Sequence, residues 1–289
     1  MAARRCYKKS EEQPWPTPKT EKPVRDGGTP PTNVGGGPAQ TPPLILIHGS
    51  GPGVTAFANW RGVIPDFAQN FHCFAPDTLG FGYTDFPADI QGFDMARWVA
   101  HLVGFMDALD IAKAHFIGNS YGGALTLALA ARHPDRVGKI VLMGAAGLNF
   151  PITDGLERVW GYQPSLDAMR DLMTTFAYDA ALVKEEIVQS RYEASIRPGA
   201  QEAFSSLFPA PRQRWLEALA TDKDALRALP HATLIVHGRE DVIVPFACSV
   251  EFHQLIPNSE LHIFGGCGHW TQIERRDRFV ELVEPFLSA

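Results

Sequence analysis

The chain has 289 residues, of which 45% are hydrophobic and 20% charged, as expected of a soluble globular α/β domain with an insertion. A formal net charge of −6 gives no basic footprint for nucleic acid, and no run of 18 apolar residues predicts a membrane-spanning helix. A secretory signal requires an apolar segment after its first basic residues, and this sequence has none there. The four cysteines have no C-x-x-C spacing, so we expect a cytoplasmic protein with reduced thiols and no zinc site.

Residues 1–41 differ in composition from the remainder. Residues 1–40 contain seven prolines and five glycines with few large apolar side chains. Such a segment buries too little apolar surface to offset the entropy lost on ordering. We therefore expect disordered or loosely attached chain, which leaves an edge of the sheet exposed.

From residue 44 onward, strand and helix patterns alternate. The predicted strands are 44–47, 72–75, 114–117, 139–143, 233–236 and 261–264, and the predicted helices are 59–69, 93–109, 123–132, 246–255 and 273–287. This alternation predicts an α/β fold with a mostly parallel, doubly wound sheet, built from residues 42–147 and 216–289.

Residues 148–215 interrupt this alternation. No clear strand appears there, and helical patterns cover 154–161, 165–176, 180–190 and 201–207. The simplest interpretation is a helical cap, or lid, over the carboxyl ends of the strands. Most of its large apolar side chains, Phe176 among them, are expected to form the core of the cap itself.

The sequence Gly-Asn-Ser-Tyr-Gly-Gly at 118–123 follows a strand and opens a helix. G-x-S-x-G in that setting predicts a nucleophile elbow, which projects the Ser120 hydroxyl into a cleft. The Tyr121 N–H then lies at a helix start, where it can stabilise a developing negative charge. The alternative is a chance turn of small residues, which the flanking strand and helix make less favourable.

The loop His-Gly-Ser-Gly-Pro-Gly at 48–53 follows the first predicted strand. Its glycines, Gly49 and Gly51 included, allow backbone to approach a ligand closely. We interpret the Ser50 N–H as the second oxyanion donor, opposite Tyr121. An ordinary strand-to-helix loop is the alternative.

A serine nucleophile needs a base and a group that orients the base. Asp241 and His269 follow the last two predicted strands, and the order Ser120, Asp241, His269 is the α/β-hydrolase order. Glu240 is a rival acid. Asp77 also ends a strand, but it precedes the elbow and is interpreted as structural.

Four core segments and four cap segments together resemble one family. They are HGSGPGVTAFANW (48–60), GNSYGG (118–123), GRED (238–241), CGHW (267–270), FPITDG (150–155), VWGY (159–162), SIRPG (195–199) and FPAPRQRW (208–215). Over residues 42–288 the chain resembles the meta-cleavage product hydrolases, which cleave carbon–carbon bonds in aromatic degradation, and among them the 2-hydroxymuconate semialdehyde hydrolases.

The resemblance implies a dienoate substrate and neither a metal nor an organic cofactor. Asn59, Asn119, Arg191 and Trp270 match the groups that bind the dienoate end. Arg191 is the expected partner of its carboxylate, because guanidinium pairs bidentately with carboxylate. From sequence alone, Arg191 could equally be an exposed helix residue.

The group at C6 of the substrate is expected to meet a second set of side chains. These are Ala146 and Val244 at strand ends, with Leu156, Trp160 and Leu216 from the cap. The modest size of the side chains at the sheet end favours hydrogen or a short alkyl group. Tyr121 stands where the family often has phenylalanine or methionine, so we expect its hydroxyl to enter the pocket. A carboxylesterase and a catalytically silent binding protein are the alternative functions. A homo-oligomer is expected.

Overall fold

Seven strands form a single sheet in the computed structural model, which describes residues 33–84, 86 and 90–289. In chain order they are β1 (Asn33–Gly36), β2 (Pro43–Ile47), β3 (His72–Pro76), β4 (Ala114–Asn119), β5 (Val137–Met143), β6 (Thr233–Gly238) and β7 (Ser259–Phe264). Their order across the sheet is β1-β3-β2-β4-β5-β6-β7, and only β1 runs antiparallel to its neighbour. The predicted mostly parallel, doubly wound sheet is confirmed.

Helices cover both faces of this sheet. They are α1 (Ala56–Trp60), α2 (Ile64–Phe67), α3 (Met95–Ala108), α4 (Tyr121–Arg132), α5 (Asp154–Trp160), α6 (Leu166–Phe176), α7 (Glu185–Ser195), α8 (Ala200–Leu207), α9 (Gln213–Leu219), α10 (Lys223–Arg227), α11 (Phe246–Leu255), α12 (Thr271–Glu274) and α13 (Arg276–Ser288). Within the described residues, none of the helices has the length and apolar character needed to cross a membrane.

Strand β2 shows how the two-sided core arises. Leu44 and Leu46 belong to the cluster packed against α1, α2 and α13, whereas Ile45 and Ile47 belong to the cluster packed against α3, α4 and α11. Successive side chains of a strand point to opposite faces, so a strand buried on both faces has a continuous apolar sequence. The unbroken run at 44–47 therefore marks a central strand.

Strand β1 lies in the segment for which the composition predicted little order. It pairs with β3, with Asn33 opposite Pro76 and Gly36 opposite Cys73, and so covers an edge of the sheet. Composition missed this strand because glycine disfavours strands in general. Here Gly35 has a packing role, since a Cβ would lie 2.0 Å from the Cys73 carbonyl oxygen. Residues 1–32 lie outside the described residues.

Three predicted helices differ from those observed. The helix expected at 59–69 is two short helices, α1 and α2, and the last helix is divided into α12 and α13 at Arg275, whose φ is −127°. The helix expected at 180–190 is observed, but it begins later in the chain. A short 3-10 turn covers Ala180–Leu182, and α7 begins only where two acidic residues, Glu185 and Glu186, favour a helix N-terminus.

Helices α5 to α8 lie between β5 and β6 and form the cap. Their starts match capping rules, because the Thr153 hydroxyl accepts from the Leu156 N–H and the Ser165 hydroxyl from the Ala168 N–H. Helix α9 continues across the boundary expected at residues 215 and 216. The cap brings its side chains over the carboxyl ends of the parallel strands, where an α/β sheet places its ligands.

Gly122 provides a test of the packing between β2 and α4. A Cβ at Gly122 would lie 2.3 Å from the Ile47 carbonyl oxygen, and backbone at that distance cannot move aside cheaply. We expect Gly122→Ala to lower the free energy of unfolding by about 3 kcal/mol or more, measured by urea denaturation.

Gly62→Ala is the matched control, because a Cβ there meets nothing within 4 Å. Its stability should stay within about 1 kcal/mol of the wild type. Equal losses in the two variants would contradict this account of the contact.

Candidate active site

A sharp turn joins β4 to α4 and places Ser120 at the carboxyl edge of the sheet. Ser120 has φ +55°, a conformation that costs a residue with a side chain on the order of 1–3 kcal/mol. Glycines make the turn possible, because a Cβ on Gly118 would lie 2.5 Å from the Gly122 carbonyl oxygen. This is the predicted elbow geometry, and it holds the serine away from its own backbone.

Asp241 and His269 lie in the loops after β6 and β7 and share a buried hydrogen bond. His269 Nδ1 lies 2.6 Å from Asp241 Oδ2. Because an ionised carboxylate only accepts, Nδ1 donates, and Nε2 is the ring atom left to take a proton. Asp241 Oδ1 accepts from the N–H groups of Ile243 (2.8 Å) and Val244 (3.0 Å). His269 and Ser120 line the same cavity, so the structure brings together the three residues that the sequence proposes as nucleophile, base and acid.

The Asp241 carboxyl is fully buried, and burial by itself would raise its pKa. The charge that His269 can carry and the hydrogen bonds from His237 and His269 outweigh this effect, so its pKa lies well below the usual range. His237 Nε2 lies 3.1 Å from Asp241 Oδ2. Asp241 is therefore ionised near neutral pH, as the partner of a catalytic histidine must be.

Glu240 and Asp77 have other partners. Glu240 accepts a hydrogen bond from the Cys267 N–H (3.0 Å) and pairs with Arg239. Asp77 accepts from the N–H groups of Ala56 (2.6 Å) and Tyr83 (3.0 Å) and so fixes two loops, as expected of a structural residue.

The two expected oxyanion donors lie on either side of Ser120. Tyr121 is the first residue of α4, and the first N–H groups of a helix have no acceptor within it. The Ser50 loop lies opposite, since a Cβ on Gly49 would lie 3.5 Å from the Ser120 Cβ and 3.1 Å from Asn119 Oδ1. Ser50 lines the cavity together with Ser120. This arrangement can hold an oxyanion formed above the serine.

The cavity beside Ser120 is a narrow space between the sheet and the cap. Its walls combine backbone of the glycine-rich loop, a few polar groups and apolar cap side chains, as is usual for a small-molecule site. The lining residues are Gly49, Ser50, Gly51, Val54, Asn59, Asn119, Ser120, Leu156, Val159, Phe176, Arg191, Ile243, His269 and Trp270.

Arg191, on α7, is the one arginine or lysine among the described residues that line the cavity. Its Nε donates to the Pro52 carbonyl oxygen (3.0 Å), and its guanidinium lies 5.8 Å from the ring centres of both Phe176 and Trp270. Among the described residues, no carboxylate lies within ion-pair distance of it. Burial lowers the pKa of Arg191 to about 10, which leaves it charged at neutral pH. A buried cation without a counter-ion is a site for an anionic ligand.

Gly51 and the two predicted asparagines shape the remainder of the polar wall. A Cβ on Gly51 would lie 2.5 Å from Arg191 Nη2, so glycine is needed for the guanidinium to lie there. Asn119 Nδ2 donates to the Met143 carbonyl oxygen (3.2 Å). Asn59 is buried, and its Nδ2 has no hydrogen-bond partner within the described chain, so it remains available to a ligand.

Comparisons with known proteins agree with this geometry. Residues 42–276 match the family model for the alpha/beta hydrolase fold. A 2-hydroxymuconate semialdehyde hydrolase of Pseudomonas sp. (strain CF600) is 56% identical over 246 residues, or 85% of this chain and 87% of the relative. A 2-hydroxy-6-oxo-2,4-heptadienoate hydrolase of Pseudomonas putida is 53% identical over 247 residues, or 86% of this chain and 89% of the relative.

A solved structure extends the similarity to three dimensions. The meta-cleavage product hydrolase CumD of Pseudomonas fluorescens is 53% identical, with a TM-score of 0.85 over 89% of this chain and 92% of that chain. This chain belongs to the meta-cleavage product hydrolases. The resemblance seen in the sequence, the fold class and the assignment as a hydrolase are thereby confirmed.

Four residues expected around the C6 group do not line the cavity of the hydrolase in the described part of the chain. Ala146, Trp160, Leu216 and Val244 are buried behind its walls. Trp160 Nε1 donates to Ser50 Oγ (3.0 Å), and the Ala146 N–H donates to the Ser120 carbonyl oxygen (3.0 Å). Their contact with substrate stays a prediction.

The expectation that the Tyr121 hydroxyl enters the pocket is wrong. The side chain turns into the core of the hydrolase, where its ring lies 5.6 Å from that of Phe81 and 5.7 Å from that of Phe93. Among the described residues the buried hydroxyl has no hydrogen bond of good geometry, although Thr78 and Trp98 lie near enough to offset part of the rise that burial causes in its pKa. The direction of the Tyr121 side chain follows from its packing against the loop after β3. That loop is distant in sequence from the elbow motif, so the motif alone does not reveal the direction.

Phe176 is a cavity residue that the sequence did not single out. It was assigned to the core of the cap, but its ring stacks on Trp270 (4.9 Å between centres) and lies 5.7 Å from that of His269. Phe176 is the last residue of α6 and lies next to the sheet, and this position distinguishes it from the apolar residues in the core of the cap. The walls also contain Val54, Val159 and Ile243, which had not been assigned to the site.

Glu274 joins the cap to the loop that carries the base. Its carboxylate accepts from the Gly268 N–H (2.9 Å) in that loop and from the Tyr178 N–H (2.8 Å) in the cap. The His269 N–H donates to the Phe176 carbonyl oxygen (2.8 Å) beside them. Burial raises the pKa of Glu274, which these hydrogen bonds partly offset. The cap and the catalytic base are thus held as one unit.

The buried hydroxyl of Tyr121 makes a stability prediction possible. An unsatisfied buried hydroxyl loses its hydration without compensation, so Tyr121→Phe should raise the free energy of unfolding of the hydrolase by about 1 kcal/mol. Tyr178→Phe, at a side chain that is 59% exposed, is the control and should change stability little. A loss of stability in Tyr121→Phe would show that its hydroxyl has a partner.

Proposed function

We propose that the protein hydrolyses the carbon–carbon bond of 2-hydroxy-6-oxohexa-2,4-dienoates, 2-hydroxymuconate semialdehyde and short-alkyl analogues among them, in the meta-cleavage degradation of aromatics. The observation that carries this proposal is Arg191, a buried guanidinium in the same cavity as Ser120 with no counter-ion among the residues that the structure describes. An ordinary ester has no need of that charge, whereas a dienoate has a carboxylate to pair with it. Two relatives that are more than half identical have names that specify such dienoates.

The walls fit a flat, conjugated acid. Its carboxylate would pair with Arg191, and the Asn59 and Asn119 amides would contact the enol end. The diene would lie along the stacked rings of Phe176 and Trp270, whose planes differ by 15°. The carbonyl at C6 would then reach Ser120 and the two backbone donors.

The reaction would begin with ketonisation of the dienol, aided by Arg191 and His269, which moves a proton from the 2-hydroxyl to C5. Ser120, or a water beside it, then attacks the C6 carbonyl while His269 accepts its proton. The N–H groups of Ser50 and Tyr121 hold the resulting oxyanion, an effect worth on the order of 3 kcal/mol per donor.

Collapse of that oxyanion breaks the C5–C6 bond. The electron pair passes into the keto acid portion, which leaves as 2-hydroxypenta-2,4-dienoate. Water supplies the oxygen of the second product, a small carboxylic acid, which is formate where C6 carries hydrogen. Every step uses side chains and backbone groups of this chain, and no cofactor is invoked.

The C6 substituent would face the apolar end of the cavity. Leu156 and Val159 from the cap and Ile243 from the acid loop form that end. Because these branched side chains occupy that end of the cavity, we expect hydrogen or a short alkyl group at C6 in preference to a phenyl ring.

A comparison of two substrates tests the proposal. Ring-fission product and a nitrophenyl ester are each mixed with the enzyme, and loss of the yellow dienoate absorbance is followed beside release of nitrophenol. We expect fast loss of the dienoate and slow ester turnover. Fast ester turnover without loss of the dienoate would instead identify a carboxylesterase, and binding without any turnover a silent binding protein.

Arg191→Gln tests the role of the guanidinium. Loss of a charged hydrogen-bond partner should raise KM for the dienoate by about 10- to 100-fold, while KM for a neutral nitrophenyl ester changes little. Arg170→Gln is the control, because Arg170 is a partly exposed cap residue paired with Asp167 and Glu185. Equal effects of Arg191→Gln on the two substrates would contradict carboxylate recognition.

A cytoplasmic location and a homo-oligomeric state complete the proposal. The described cysteines, Cys73, Cys248 and Cys267, are buried and unpaired, as expected in a reducing compartment. Burial raises the pKa of each thiol to about 12, so these thiols are unreactive. The oligomeric state stays a prediction, which size-exclusion chromatography with light scattering would test.

A further inference from the structure

A second histidine contacts the carboxylate of Asp241. His237 lies at the end of β6, one residue before the turn into the acid loop, and its side chain is fully buried, as is that of Asp241. Its Nε2 lies 3.1 Å from Asp241 Oδ2 and 2.9 Å from the Val244 carbonyl oxygen. Its Nδ1 lies 2.6 Å from the Ser249 hydroxyl on α11.

The partners of His237 determine where its hydrogen lies. A carbonyl oxygen and an ionised carboxylate can only accept, so Nε2 carries the hydrogen that Val244 and Asp241 share. In the neutral ring Nδ1 then accepts from the Ser249 hydroxyl. These partners fix the tautomer, because a neutral ring with its hydrogen on Nδ1 would turn the bare Nε2 toward the Val244 carbonyl oxygen, an acceptor against an acceptor.

This arrangement restricts the carboxylate of Asp241. Oδ1 is held by the N–H groups of Ile243 and Val244, and Oδ2 accepts from His269 Nδ1 and lies 3.1 Å from His237 Nε2. Without His237, the described residues would hold Oδ2 only through the ring that it is meant to orient. The two N–H groups at Oδ1 would then have to resist rotation about the Cβ–Cγ bond without help, and such a rotation would carry His269 away from Ser120.

We propose that His237 is a positioning residue, which holds Asp241 Oδ2 so that Asp241 fixes His269 for proton transfer from Ser120. A purely structural histidine, one that fills the space between β6 and α11, is the alternative. The two differ in what they affect, because a positioning role concerns the chemical step and a packing role concerns stability. The role applies to any substrate of the triad and does not depend on the dienoate.

Two amide variants separate these roles. In His237→Gln the amide nitrogen reaches about as far as Nε2 and can still donate to Asp241. In His237→Asn the amide reaches only as far as Nδ1, so it can contact Ser249 but cannot donate to Asp241. Each variant buries one neutral amide in place of the ring, so the difference between them reports the hydrogen bond to Oδ2.

Steady-state kinetics on the dienoate and on a nitrophenyl ester, with urea unfolding of each variant, provide the test. We expect His237→Asn to lower kcat on both substrates by about 10- to 100-fold with KM changed by less than about 3-fold. His237→Gln should recover most of that loss. His253→Asn is the control, an exposed histidine on α11 that also contacts a serine hydroxyl (Ser259, 3.0 Å), and its kcat should equal that of the wild type.

Equal kcat in the Asn and Gln variants, or losses that follow only the unfolding midpoints, would overturn the proposal. Should neither variant fold, Ser249→Ala carries the test, since it removes the hydroxyl that orients the His237 ring. It should lower kcat by about 3-fold or more at unchanged KM, and a wild-type kcat would overturn the proposal. If the enzyme did not cleave the dienoate, the variants could still be compared by their kcat on the nitrophenyl ester. The proposed function and the role of His237 can therefore be refuted separately.

Discussion

The hydrogen bond between Asp241 Oδ2 and His269 Nδ1 is the contact on which the remainder of the site depends. It joins loops after two neighbouring strands, and parallel strands bring such loops to one edge of the sheet, where the elbow also ends. The fully buried carboxylate stays ionised only because donors surround it. Much of the acid loop therefore serves to stabilise one charge. Two backbone N–H groups, a second histidine and the base all lie around the Asp241 carboxylate for this reason.

The cavity adds a second buried charge of opposite sign. Arg191 lies in the cap, has aromatic rings beside it and lacks a carboxylate among the described residues. Within the described residues this cation has no ion pair in the space that also holds Ser120, and an unpaired buried charge costs stability and favours an anionic ligand. Asp241 is thus satisfied within the protein, whereas on the proposed function the ligand would satisfy Arg191. One charge would then serve catalysis and the other recognition.

Motifs fixed by local geometry could be predicted from the sequence. The elbow at Ser120 needs a strand, small residues and a helix in immediate succession, and Asp241 and His269 follow apolar strands in the expected order. Features that depend on distant packing could not be predicted. The direction of the Tyr121 ring is set by Phe81 and Phe93, and helical periodicity gave Phe176 an apolar face without showing that this face meets Trp270. Strand β1 was missed because its pairing with β3 outweighs the poor strand propensity of its glycines.

The hydrogen bonds between cap and base loop have a consequence for the timing of the reaction. Glu274 contacts both, and the His269 N–H donates to a carbonyl at the end of α6. A cap that swings away to admit substrate must break these bonds, and the base then loses part of its support. An open cap would therefore leave His269 less well aligned with Ser120, and a closed cap would support it. Entry of substrate and support of the base would then exclude each other.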